Sequence, residues 1–171
     1  MNYKIGLVSV IVVFLVGCSA SFSVGGSKQQ DAIIKFINED VEEASQHQET
    51  SALLFNELLM DPEVTEEEMV ERIKNEVIPE AEKAVEVVEK IDVSIEELEE
   101  PYELLKDGIH LYTNALNEFL EWVETNDPAV ETQVDQTFDE YQTALEKYHH
   151  VMEELADEFE VEYERHELPI E

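Results

Sequence analysis

Cysteine is nearly missing from this 171-residue sequence, where Cys18 stands alone. One cysteine cannot close an internal disulfide, and it cannot build a thiolate metal cage. Glycine and proline are scarce, with five of each, and no glycine loop of the kind that cradles phosphate is present. Basic residues are few, 10 Lys and Arg against 43 Asp and Glu, for a formal charge of −33. That deficit argues against a nucleic-acid partner, because such binding relies on Lys and Arg to neutralise phosphates. There is no His-Glu-x-x-His zinc motif and no nucleophile elbow, so nothing in the sequence points to an enzyme or to a cofactor. Long apolar runs are absent apart from Ile5 to Gly17, which covers 13 residues. A helix needs about 20 residues to span a bilayer.

That short run has a context. Lys4 precedes it, and the small residue Gly17 ends it just before Cys18. A positive start, a short apolar stretch and a small residue before a cut are the marks of an export signal. The competing reading is a buried core helix. The tetrapeptide Leu15-Val16-Gly17-Cys18 resembles the bacterial lipobox. The resemblance implies that residues 1–17 form a lipoprotein signal peptide cleaved between Gly17 and Cys18. It also implies that the Cys18 sulfur carries diacylglycerol, with the number of acyl chains left open, and that the protein sits lipid-anchored on the extracytoplasmic face of the cell membrane. Two or three chains on one residue suffice for stable anchoring, whereas one alone is marginal.

Without Lys4 the mature chain would hold 43 acids against nine Lys and Arg, a charge of −34. Charge on this scale acts on solubility and partner choice rather than on fold. One reading is adaptation to a halophilic or alkaliphilic setting, where salt screens self-repulsion. The other is attraction of a protein or cationic peptide partner, with weak divalent-cation binding. A hydrophobic content of 43%, arranged periodically, argues against disorder.

Residues 18–30, the lipidated Cys and a small polar stretch with Gly25-Gly26, read as a flexible linker. From 31 to 166 the apolar spacing predicts an all-α domain of four amphipathic helices with short links. The first runs from Asp31 to Met60 along Ile34, Ile37, Val41, Ala44, Gln48, Ser51, Phe55 and Leu58. After Asp61-Pro62, a capping box at Thr65 to Glu68 opens the second, through Met69, Ile73, Val77, Ala81, Ala84, Val88 and Ile91. Pro79 should kink it. Ser94 to Glu97 repeats the capping pattern, with Pro101 where the third helix begins or bends. That helix follows Leu105, Ile109, Tyr112, Leu116, Phe119 and Val123. Asp127-Pro128 starts the fourth, from Val130 through Tyr141 and Tyr148 to Phe159 and onward to about His166. The simplest packing is an antiparallel up-down-up-down four-helix bundle. Residues 167–171 form a C-terminal tail, and the segment Val161 to Glu171 is expected to overhang towards the membrane.

Two constellations invite chemistry. Helical bundles hold paired metals with carboxylates and Glu-x-x-His pairs. Glu146-x-x-His149 has that form and Asp107-x-x-His110 approximates it. Against a metal centre, the second helix has no histidine and both histidines flank the seam, which favours boundary or surface positions. His47, Gln48 and Ser51 put polar groups mid-seam in the first helix. They read as a satisfied polar layer or as a small polar pocket.

The whole pattern resembles the helical-bundle lipoproteins of Bacillus-type bacteria, some of which are called cell-wall-binding lipoproteins. The likeness rests on the lipobox, the helical architecture and, loosely, the segment from Pro101 to Ile109. It implies an envelope location and supplies no motif of functional residues. A −34 domain departs from wall binding, since it lacks basic patches for anionic polymers. Three functions follow: a non-enzymatic partner-binding or scaffold module, a sequestering or immunity-type lipoprotein, and, least favoured, a bundle metalloenzyme.

Overall fold

A computed structural model describes residues 27–167 together with the pair 13–14. Cys18, Gly17 and the 167–171 tail beyond its first residue lie outside the described residues. The described chain is all-helical and bundle-like, apart from one two-residue pairing. In that pairing β1 (Val13–Phe14) runs antiparallel to β2 (His166–Glu167).

The first helical stretch begins earlier than the spacing predicted. Ser27 caps α1 (Lys28–Lys35): its hydroxyl accepts from the Gln30 amide at 3.2 Å, and Gln30 Oε1 returns to the Ser27 amide at 2.6 Å. The last residues assigned to a flexible linker are thus a capped helix start, because Ser-x-x-Gln is itself a capping box. A π-helical turn, Phe36–Asp40, follows before α2 (Glu42–Met60). The extra residue shifts the phase upstream of it. Ile33, rather than Ile34, is therefore fully buried, because the constant three-and-four spacing does not carry through such a turn.

The second stretch consists of α3 (Glu66–Arg72), a π turn (Ile73–Val77) and α4 (Ile78–Val88). The Thr65 hydroxyl accepts from the Glu68 amide at 3.2 Å. Pro79 lies in the first turn of α4, where its missing amide costs least. The π turn before it also explains why Ile73, Val77 and Ala81, spaced four apart throughout, all stay buried. Such spacing drifts off one face of a regular α-helix of 3.6 residues per turn.

The capping pattern expected at Ser94 does not form. A 3₁₀ turn, Glu96–Leu98, opens after Ile95 without a side-chain cap, and α5 (Glu99–Thr125) follows with Pro101 in its first turn. Asn126 ends α5 in the left-handed conformation, φ 53°. The Asp127 carboxylate then accepts from the Ala129 amide at 2.8 Å, and α6 (Pro128–Glu158) begins on its proline. This helix stops at Glu158, short of the expected His166. Glu160 at φ 54° turns the chain back, and Val161 and Tyr163 pack on the core instead of overhanging.

Neighbouring stretches pack closely, α2 on α4, α4 on α5 and, most extensively, α5 on α6, while the first and last stretches approach less closely. Buried side chains form two groups. One holds Ala52, Phe55, Val77, Tyr112, Phe119, Phe138 and Tyr141; the other holds Ile33, Phe36, Ala44, Val88, Ile109, Tyr148 and Met152. In the first group Phe55 meets Phe119 edge-on at 4.9 Å between ring centroids, and Tyr112 meets Tyr141 at 5.3 Å. No helix among the described residues is long and apolar enough to cross a membrane.

Gly108 lies inside α5, against α6. A Cβ there would sit 3.6 Å from Leu145 Cδ2 and 3.9 Å from Ala144 Cβ, ordinary contact distances. Because mid-helix glycine costs about 0.5–1 kcal/mol relative to alanine, Gly108→Ala should stabilise the fold by about that amount. Urea unfolding checks this, and a destabilised variant would mean that α5 and α6 pack more tightly than described.

Candidate functional site

The three polar residues of the first stretch separate into two environments. His47 lies at the surface, its Nδ1 2.8 Å from Glu80 Oε2, while Lys83 Nζ reaches Glu80 Oε1 at 2.6 Å. Lys83 first, and His47 second, hold the Glu80 carboxyl below its ordinary range. Gln48 and Ser51 point inward and are almost completely buried. Gln48 Nε2 donates to the Tyr141 hydroxyl at 2.8 Å. The Ser51 hydroxyl donates to the Val77 carbonyl at 2.9 Å and lies 3.4 Å from the Tyr112 hydroxyl. Burial pushes the ionisation of Tyr112 and Tyr141 upward, so both remain neutral donors and acceptors.

These groups form a polar layer. On α2 it falls where the two apolar groups meet, between Ala44 and Ala52, while its partners Val77, Tyr112 and Tyr141 belong to the first of those groups. The layer links the first stretch to the second, third and fourth, and each of its inward-facing side chains has a hydrogen-bond partner. Such a layer fixes register and leaves little free bonding capacity for a ligand.

The four residues of the metal reading do not converge. His110 is half-exposed beside Glu89 at 3.5 Å, and Asp107 and Glu146 face solvent. Among the described residues no group of three or more His, Cys, Asp and Glu is placed to hold a metal ion. His149 departs most from expectation. It is 2% exposed rather than at the boundary, because the chain after α6 folds back over it. Its Nδ1 lies 2.7 Å from the Tyr163 hydroxyl. Arg165 meanwhile grips Glu153 on the same helix face through two bonds, of 2.6 and 3.0 Å. Arg165 holds the Glu153 carboxyl low. Burial first, and the Arg165 charge second, push the His149 imidazole down to about 4, so it is neutral near pH 7.

The clasp of Tyr163 and Arg165 on α6 was missed in the sequence. Its signal was Val161 and Tyr163, alternating with acids in Val-Glu-Tyr-Glu-Arg, a spacing that suits an extended segment laid on a core better than a last helical turn. Elsewhere the cations are mostly taken by carboxylates. Lys35 bonds Asp40, Arg72 bonds Glu76, Lys74 bonds Glu124, and Lys106 bonds Glu103. The acidic surplus is left facing solvent. Comparison of the chain with known protein families, with curated proteins and with solved structures finds no match.

Two outcomes follow from this geometry. Tyr141→Phe removes the acceptor of a buried amide and should cost about 1–3 kcal/mol in urea unfolding, while adding Gln48→Leu should recover part of the loss. A Tyr141→Phe protein as stable as wild type would show that the amide bonds elsewhere. The second concerns pH. Since His149 titrates lower when folded than its ordinary 6.5, the unfolded chain takes up the extra proton. Its contribution is fully present above about pH 6.5 and is lost as pH falls towards about 4. Between about pH 7 and about pH 4.5, wild type should lose about 2 kcal/mol more than His149→Gln. Equal losses would mean that the imidazole is not buried.

Proposed function

We propose that this chain is a non-enzymatic, lipid-anchored module of the outer face of the cell membrane. In this reading an acidic antiparallel up-down-up-down four-helix bundle binds a partner protein or serves as a scaffold. The observation that carries it is Leu15-Val16-Gly17-Cys18 at the end of a short apolar run preceded by Lys4. Anchoring falls to Cys18. No described helix is long and apolar enough to cross a membrane, and an anionic leaflet repels so acidic a domain.

The bundle topology has support from side-chain pairs that climb one stretch as they descend the next. His47 meets Glu80 and Ser51 meets Val77; Lys74 meets Glu124 and His110 meets Glu89; Thr137 meets Glu118 while Leu145 lies against Gly108. In this topology the start of α1 and the end of α6 share the pole nearest the lipid. The non-enzymatic reading draws on the polar layer, where Gln48 and Ser51 are bonded to Tyr141 and to the Val77 carbonyl. Binding of a partner agrees with a surface whose carboxylates outnumber its cations. Among the described residues, no group of three or more His, Cys, Asp and Glu supports capture of divalent cations.

The decisive experiment compares wild type with Cys18→Ala in a bacterial host. Wild type should yield a mature amino-terminal peptide that begins at Cys18 and carries diacylglycerol by mass spectrometry, and it should stay with membranes through salt and carbonate washes. Cys18→Ala should remain uncut at that bond. Cleavage and wash-resistant membrane retention of the variant would overturn the lipoprotein reading.

A further inference from the structure

Two buried side-chain atoms have no hydrogen-bond partner among the described residues, Asn38 Oδ1 and His149 Nε2. Neither belongs to the polar layer at Gln48 and Ser51. Buried polar groups are so regularly satisfied that each of these two calls for an explanation.

The seam between the first and last helical stretches supplies one. Side-chain bonds tie it at Gln30, whose Nε2 donates to the Phe159 carbonyl at 2.6 Å, and at Gln48, whose Nε2 donates to the Tyr141 hydroxyl at 2.8 Å. From Gln30 to Gln48 and from Tyr141 to Phe159 the chain advances 18 residues in each case, so the two stretches pass each other in register. Asn38, eight residues beyond Gln30, then stands level with Val151. His149 is two residues from that level, about 3 Å along a helix axis. The flanks agree with the levels. On the first stretch, His47 and Ser51 mark the side facing the second, through Glu80 and Val77. Asn38, nine residues before His47, stands about half a turn round from it in helical phase, on the side away from the second stretch. On α6, Thr137 and Ala144 mark the side facing α5. His149 and Glu153, four apart on another face, hold Tyr163 and Arg165 of the returning chain.

The chemistry of the two atoms is complementary. A tyrosine hydroxyl donating to Nδ1 of a neutral imidazole leaves the proton on Nε2, which becomes a donor, while the Asn38 amide oxygen is an acceptor. One hydroxyl can accept from the first and donate to the second. A cation would meet the Nε2 proton head-on, and for an anion the nearby Arg165 is already engaged by Glu153. We infer that the seam binds one small neutral hydroxyl-bearing molecule, water or a short alcohol or polyol, between His149 Nε2 and Asn38 Oδ1, with Tyr163 closing over it.

The test uses the full chain. Nitrogen-15 spectra of the histidine rings at about pH 7 should show His149 neutral with its proton on Nε2. That proton should give a cross-peak either to a long-lived water or to carbon-bound protons of a small alcohol. Mass spectrometry of the extract released on denaturation separates the two sources, and either supports the site. Asn38→Leu and His149→Phe should be coupled: the effect of the double variant on the unfolding constant should fall short of the product of the single effects by about tenfold. Effects that multiply within about twofold, or a proton found on Nδ1, would overturn the inference. The ring spectra need only wild-type protein, so the test survives a variant that fails to fold.

Discussion

Gln48 carries a primary amide into the middle of an otherwise apolar interior, where it is 1% exposed. Leaving such a group unbonded costs about 1–3 kcal/mol, a large share of the net stability of a domain this size. Of the registers in which the first stretch could lie against α6, the native one sets that amide against the Tyr141 hydroxyl. Ser51, one turn on, does the same against the second stretch through the Val77 carbonyl. Apolar contacts between helices tolerate sliding by a turn, since one aliphatic surface resembles the next. The polar layer does not, and it holds the two apolar halves of the core in a single alignment.

Sequence periodicity captured the parts of this architecture that follow from regular helices. Every seam residue named for the third helix, from Leu105 to Val123, is buried, and α6 keeps its predicted face from Val134 to Leu155. It was weaker wherever local geometry departs from 3.6 residues per turn. The π turn at Phe36–Asp40 moved the buried position from Ile34 to Ile33, and the extended return after Glu158 replaced an expected helical end. Capping patterns behaved unequally for a physical reason. Ser27, Thr65 and Asp127 precede helices that their neighbours allow to start at once, whereas Ser94 is followed by a 3₁₀ turn that begins only after Ile95. Of the polar residues singled out in the sequence, Gln48 and Ser51 occupy the core layer. His149 was read as peripheral because its cover, Tyr163, lies in a segment that spacing alone assigned to α6.

Charge and fold occupy different levels here. The ion pairs that include Lys35, Lys74, Lys83 and Lys106 are surface pairs, which contribute little in water and less in salt. Packing of Phe55, Phe119, Phe138 and the buried tyrosines contributes far more. The acidic surplus is therefore carried at a cost in self-repulsion that the core must offset, and added salt relieves that cost by screening.

The distribution of polar groups between inside and outside bears on what such a domain can do. Its interior commits most hydroxyls and amides to one another, leaving Asn38 Oδ1 and His149 Nε2 unbonded, and its surface commits most of its cations to carboxylates. What remains available to another molecule is a field of carboxylates in excess of the cations over a rigid set of helices, and a seam that the returning chain covers at His149. Rigid helices with a fixed register keep those carboxylates at constant spacing, which a flexible acidic tail cannot do. Register, set by one buried amide, thereby reaches the surface: a slip of one turn would rearrange the pattern of charge that any partner meets.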